Sequence, residues 1–285
     1  MTTSEFTTQE GARQRSQAVW DEMAAGWYSR RAELWEFSRP VAEWLIRRLD
    51  PEPGDTVLEL AAGLGETGFR AAQRVGEEGL LICSDFASEM VAAARERARE
   101  MGIRNVAFRV LDAEQMELAT DSVDGVLCRW GYMLMIEPAK ALHETRRVLR
   151  PGGRLAFSVF AAPERNPWAS LVTRVLVSQG HIPPPDPRAP GIFAMADPTR
   201  IRELVAAAGF AEPEIEEMTL QWRFVDQEAY WQFLLEAAGA ISPILRALPP
   251  AAQSTVRHQL HEAAKPFYSG DGYDFLAVVL NVVTS

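Results

Sequence analysis

The stretch Val57-Leu58-Glu59-Leu60-Ala61-Ala62-Gly63-Leu64-Gly65-Glu66-Thr67-Gly68 decides how this chain is read. An apolar run carrying an acid near its end reads as a buried strand, and the glycines after it read as a turn that opens a helix. Gly63-Leu64-Gly65-Glu66-Thr67-Gly68 fits G-x-G-x-x-G, the pattern in which a pyrophosphate rests on a helix N-terminus. In that pattern an acid about 20 residues further on binds a ribose, and Asp85 can supply it. Glu59 counts against a pyrophosphate, because it adds negative charge beside one. No Arg or Lys between Val57 and Phe69 balances it. A plain strand-turn-helix corner is the bland alternative.

Outward from this corner the chain alternates strands and helices. Thr56–Leu60 is the first expected strand, followed by helix Glu66–Val75, strand Leu80–Ser84 and helix Ser88–Met101, which Gly102 stops. Strands Val106–Val110 and Val123–Cys128, helix Pro138–Leu149 and strand Arg154–Phe160 continue the series. Such alternation predicts a doubly wound, Rossmann-like α/β sheet, largely parallel and covered on both faces, with its ligand beyond the strand carboxyl ends. The simple pattern then breaks. Residues 163–180 read as a helix, the proline-rich segment 181–191 as a loop, Pro198–Ala208 as a helix and Glu214–Phe224 as a strand. Helices from Asp226 to about Ala240 and from Pro250 to about Ala264 precede a last strand, Tyr273–Val283. Upstream, Trp20, Met23, Trp27, Leu34, Trp35, Val41, Trp44, Leu45 and Leu49 recur at helical spacings. Residues 1–50 are therefore expected to form an N-terminal helical lid. Residues 51–285 form the main domain, with lid insertions at about 161–191 and 225–266.

The 285 residues, 47% of them apolar, suffice for a large core. A net charge of −10 without a basic stripe disfavours nucleic acid as a partner. Arg95, Arg97 and Arg99 alternate with Glu96 and Glu100, as on a solvated helix face. The two cysteines, Cys83 and Cys128, lie in apolar runs and read as buried free thiols. No C-x-x-C or H-E-x-x-H spacing points to a metal. The N-terminus lacks a signal-peptide pattern, and no apolar run nears the roughly 18 residues of a membrane span. A cytoplasmic protein is the expectation.

S-adenosylmethionine (SAM) uses the opening residues better than a dinucleotide does. It carries a cationic amino group, a sulfonium and a ribose with free hydroxyls, but no phosphate. Glu59 can offer negative charge to the ammonium, Gly63 and Gly65 allow close backbone approach, and Asp85 can accept from both ribose hydroxyls. Four segments here resemble the class I SAM-dependent methyltransferases, especially the small-molecule branch that includes the ubiquinone/menaquinone methyltransferases. Glu59-Leu-Ala-Ala-Gly63-Leu-Gly65 matches the acid-x-G-x-G-x-G motif with Ala61 at the first glycine. Ser84-Asp85-Phe86-Ala87-Ser88-Glu89-Met90 matches the end of the second strand. Asp112-Ala113-Glu114 with Asp121-Ser-Val-Asp-Gly-Val matches the adenine segment and fourth strand, and Leu142 to Gly153 matches the approach to the fifth.

The resemblance implies a seven-stranded sheet and SAM as cofactor. It implies that Glu59, Ala61, Gly63 and Gly65 line the methionine part. Asp85 would bind the ribose, with Phe86 or Met90 against the adenine. Asp112 and the Ala113 backbone would pair with the adenine edge, and Arg129 would lie near the methionine or the reacting methyl. Taken singly, Asp85 and Asp112 read as turn caps, Phe86 and Met90 as core, and Arg129 as a surface side chain.

A sulfonium is already a good leaving group, so alignment matters more than acid–base help, and a base is needed only for an acceptor that stays protonated. His181 is the first candidate for such a base, ahead of His258 and His261 in the inserts, with His143 on a helix surface. Trp27, Tyr28, Trp130 and Tyr132 are candidate pocket walls that can attract the sulfonium. The expected function is methyl transfer to a small, apolar or aromatic molecule. The alternatives are a SAM-fold protein that binds SAM without methylating, in a cyclase-like or binding role, and a nicotinamide-dependent oxidoreductase.

Overall fold

The computed structural model describes residues 3–270 and 272–285, with side chains from residue 9 onward. Seven strands form one sheet: β1 (Thr56–Glu59), β2 (Leu80–Asp85), β3 (Val106–Val110), β4 (Val123–Arg129), β5 (Leu149–Phe160), β6 (Glu214–Phe224) and β7 (Tyr273–Thr284). Their order is β3-β2-β1-β4-β5-β7-β6, with β1 to β5 parallel and β7 antiparallel to both neighbours. The strand order therefore reverses between β1 and β4, where open α/β sheets bind their ligands.

Val57 and Leu58 of β1 and Val126 and Leu127 of β4 are fully buried, as expected for central strands covered on both faces. The covering helices include α1 (Thr3–Ser29), α2 (Arg31–Leu49), α3 (Glu66–Val75), α4 (Ser88–Met101) and α5 (Pro138–Val148). Then come α6 (Pro167–Ser178), α7 (Pro198–Ala207), α8 (Gln227–Glu236), α9 (Ile241–Ala247) and α10 (Pro250–Ala264).

Three expectations need correction. The reading of residues 1–50 as one lid does not hold for α2. Its Val41, Trp44, Leu45 and Leu49 are buried in the main core, and Gly125 of β4 leaves room for the Leu49 side chain. Strand β5 begins at Leu149, because Val123 pairs with Leu149 before a register shift carries the pairing to Arg154. The helix expected from Asp226 to about Ala240 stops at Glu236. There the Ser242 hydroxyl donates to the Leu234 carbonyl and accepts the Ala238 N–H, which turns the chain into α9. The segment 225–272 is an excursion between two paired antiparallel strands, Glu214 opposite Val283 and Phe224 opposite Tyr273.

Candidate active site

The corner after β1 is tied to the end of β2. The Ala62 N–H donates to the Ser84 carbonyl at 3.0 Å, and the Ser84 hydroxyl donates to the Glu59 carbonyl at 2.7 Å. Asp85 accepts the Gly63 N–H at 2.9 Å through one oxygen and the Ala87 N–H at 2.9 Å through the other. Gly65 opens α3 at φ +82°, a left-handed conformation that favours glycine. Ala61 has φ +49°, so the methyl in place of the motif's first glycine carries a conformational cost as well as a steric one.

Glu59 lies behind this corner, 2% exposed, and its Oε2 has no hydrogen-bond partner among the described residues. A Cβ at Gly68 would come within 2.2 Å of that oxygen. The third glycine of the string thus makes room for the acid, a role outside the dinucleotide reading. Burial pushes the Glu59 carboxyl up to about 8, against the pull of the Arg129 guanidinium. Burial likewise raises Asp85 and holds the Arg129 guanidinium below its usual range, although Glu59 and Glu66 favour its charge. The Arg129 Nε donates to the Thr67 hydroxyl at 2.9 Å, and its guanidinium lies 4.8 Å from the Trp130 ring.

A cleft of about 2160 Å³ opens at this edge of the sheet, walled by Ala61, Gly63, Asp85, Phe86, Met90, Asp112, Ala113 and Arg129. The structure thus brings eight of the ten sequence-named cofactor positions to one wall. Glu59 and Gly65 sit behind it and shape the corner. The cleft continues into an aromatic chamber. Trp130 stacks on Phe160 at 4.8 Å, and Phe160 meets Trp168 at 5.2 Å. Trp168 meets Trp222 at 4.7 Å, and Trp222 meets Phe233 at 4.6 Å. Phe37 of α2 stacks behind Trp222 at 3.8 Å.

His181 is not part of this wall. It follows α6 half-buried, with its N–H bonded to the Leu176 carbonyl at 2.9 Å. His143 and His258 are exposed, and His261 bonds Gln227 and Tyr273 away from the cleft. None of the described residues lining the cleft is a histidine. Of the expected aromatic walls, Trp27 and Trp130 face the cleft. Tyr132 is fully buried and shares a 2.6 Å hydrogen bond with Thr145, while Tyr28 donates to Glu100 of α4.

Sequence reasoning missed Arg13, Val19 and Trp20 of α1 as wall residues. The tryptophan spacing announced the helix, but the carboxylates that Arg13 hydrogen-bonds, Glu114 and Glu137, lie 101 and 124 residues away, beyond any local signal.

A family model described as a methyltransferase domain matches residues 51–181. Nocamycin O-methyltransferase of Saccharothrix syringae is 32% identical over 186 residues, covering 62% of this chain and 66% of that protein. A ubiquinone/menaquinone biosynthesis C-methyltransferase of Haemophilus ducreyi is 33% identical over 119 residues, 41% of this chain and 46% of that protein. The chain spans 27–66% of the length of the first curated relatives it matches. The crystal structure of the YcgJ protein from Bacillus subtilis shares the fold, with a TM-score of 0.60 and 19% identity, over 86% of this chain and 97% of that one. A sheet reversed beside an acid-tipped strand, a glycine corner held by Asp85 and a matched domain all agree: residues 51–181 carry a methyltransferase domain on the class I SAM-dependent fold, and the relatives of that sequence include small-molecule methyltransferases.

Proposed function

We propose that the protein transfers a methyl group from SAM to a small, apolar or aromatic acceptor held in the aromatic chamber. The observation that carries this reading is the continuity of the cleft, from the loops after β1, β2 and β3 to the Trp130, Trp168 and Trp222 rings. Its volume of about 2160 Å³ exceeds the roughly 300–1,000 Å³ of a usual small-molecule pocket, so it has room for cofactor and acceptor together.

When bound, SAM supplies a methyl group on a sulfonium that leaves readily. The residues fit it. Gly63 leaves room for the Trp27 ring against the corner, Asp85 and Asp112 present carboxylates to the cleft, and Glu59 leaves one buried oxygen without a donor. In this reading Asp85 binds the ribose hydroxyls, while Asp112 and the Ala113 backbone read the adenine edge. Phe86 and Met90 cover its face, and Arg129 and Glu59 lie at the methionine end, where the ligand's ammonium would favour ionisation of the otherwise protonated Glu59 carboxyl. The aromatic rings hold the acceptor in line with the methyl, keep water out and favour the cation. Alignment of this kind contributes on the order of 7–11 kcal/mol.

With no histidine on the wall, this arrangement suits an acceptor that is nucleophilic without a histidine base. The segments 161–191 and 225–266 serve as the cover of the acceptor chamber. The buried free thiols of Cys83 and Cys128 accord with a reducing, cytoplasmic setting.

The test is incubation with methyl-labelled SAM and extracts fractionated for apolar and aromatic metabolites. The expected outcome is label in a small organic product. Tight SAM binding with no labelled product in any fraction would favour a non-methylating role.

A further inference from the structure

Helix α1 touches the loops after all four cofactor-side strands, and one arginine dominates those contacts. The Arg13 guanidinium reaches three carboxylates. It is hydrogen-bonded to Glu114, its Nη2 lies 3.1 Å from Glu137 Oε2, and its Nε lies 3.5 Å from Asp112 Oδ2. Glu114 is itself only 4% exposed. Its other oxygen accepts the backbone N–H of Ile136 at 2.7 Å and of Glu137 at 3.1 Å, which ties the loop after β3 to the loop after β4. The second oxygen of Asp112 accepts the Glu114 N–H at 2.8 Å. Both Asp112 oxygens are thus held, one by the backbone and one by Arg13, while the residue still lines the cleft beside Arg13.

Further along the helix, the Gln17 amide donates to the Phe86 carbonyl at 3.0 Å, and Asp21 accepts the Glu89 N–H at 2.9 Å. At the far end the Trp27 ring packs over Gly63, and its N–H donates to the Ala237 carbonyl at 3.2 Å. Arg30 pairs with Glu236 at 2.8 Å. The helix therefore runs from the loop after β3 to the insert that covers the aromatic chamber.

We propose that Arg13 is a cofactor-positioning residue: it fixes the Asp112 carboxylate and latches α1 as a strap across the cofactor end of the cleft. This rests on the SAM-site reading above. Three carboxylates converge on one edge of the cleft, and their mutual repulsion has no other nearby cation among the described residues that pair with them. Without the guanidinium, Glu114 is left buried with an unmatched charge and Asp112 keeps only the hydrogen bond from the Glu114 N–H. The adenine end then loses its acceptor geometry, and the strap loses its anchor. Because the same helix reaches Ala237 through Trp27 and packs Gly26 against the Glu236 carbonyl, loosening it at Arg13 also reaches the acceptor side.

The experiment is calorimetric titration of the full chain with S-adenosylhomocysteine, the demethylated cofactor, for wild type, Arg13→Ala, Arg13→Lys and Gln14→Ala. Gln14 is an exposed neighbour on the same helix. Charge-assisted hydrogen bonds of this kind put the expected loss of affinity for Arg13→Ala at about ten- to a hundredfold. Arg13→Lys is expected to recover part of it, since it keeps the charge without the fork, and Gln14→Ala to match wild type. The fluorescence of Trp20 and Trp27, which meet edge to face at 5.6 Å, should change on titration in wild type and much less in Arg13→Ala. Wild-type affinity in a folded Arg13→Ala protein would overturn the proposal. Should Arg13→Ala fail to fold, Arg13→Lys decides: weakened binding at unchanged melting temperature supports the role, and wild-type binding overturns it. Failure of wild type itself to bind would instead strike the SAM-site reading.

Discussion

Glu59 and Gly68 form a matched pair at the centre of the molecule. The acid is buried on the ligand side of β1, and the glycine is the position on α3 that can face it without a clash. In the folded protein Glu59 keeps its proton up to about pH 8, whereas its ordinary value is 4.5. Between those values unfolding releases a proton. The stability tied to the protonated carboxyl is therefore fully present below 4.5 and is lost as pH rises towards 8. Glu59→Gln has no proton to lose. Its stability relative to wild type should rise with pH across that window by up to about 1.4 kcal/mol per pH unit, as read by urea unfolding at several pH values. Parallel pH profiles for the two proteins would show Glu59 to be ionised throughout. The motif made the acid and the glycines visible, but the contact between them depends on how α3 lies on β1. Trp130 carries a second hidden feature. Its φ of +63° is strained for a bulky residue, and it places the indole between Arg129 and Phe160. Nothing in the local sequence signals that conformation.

Among the elements, those with local punctuation were legible. Glycine at φ +70° stops α4 at Gly102, and Gly65 opens α3, so both helices were placed to the residue. Elements whose limits depend on distant partners were not. The expected helix over 163–180 is broken near Asn166, whose side chain bonds the Val278 carbonyl at 3.0 Å and accepts its N–H at 3.0 Å, stapling that turn to β7. Helix α4 likewise takes its N-terminal cap from another element. Ala87 at its N-cap offers no side-chain acceptor, and Asp21 of α1 accepts the Glu89 N–H instead. Asp21→Ala should therefore cost about 1 kcal/mol in denaturant unfolding, as losing an N-cap does. It should also speed amide exchange in α1 and in the first turn of α4 together. Faster exchange in only one of the two helices would mean that they are not coupled through this contact.

Across the whole molecule, the site is assembled where β1 and β4 part, and α1 together with the 225–272 excursion covers it. The sheet half of the site could be read from the chain because Asp85, Asp112 and Arg129 each sit at the end of their own strand or just beyond it. The covering half was legible only as lid segments and the Trp27 wall, since Arg13, Trp222 and Phe233 reach the cleft only through tertiary packing. No helix among the described residues is long and apolar enough to cross a membrane. The central claim is that the glycine corner is a SAM cradle despite matching a dinucleotide string. Titration calorimetry of the wild-type chain with SAM, S-adenosylhomocysteine and NAD tests it most directly. The account predicts saturable one-to-one binding of the first two and no heat with NAD; binding of NAD in their place would contradict it.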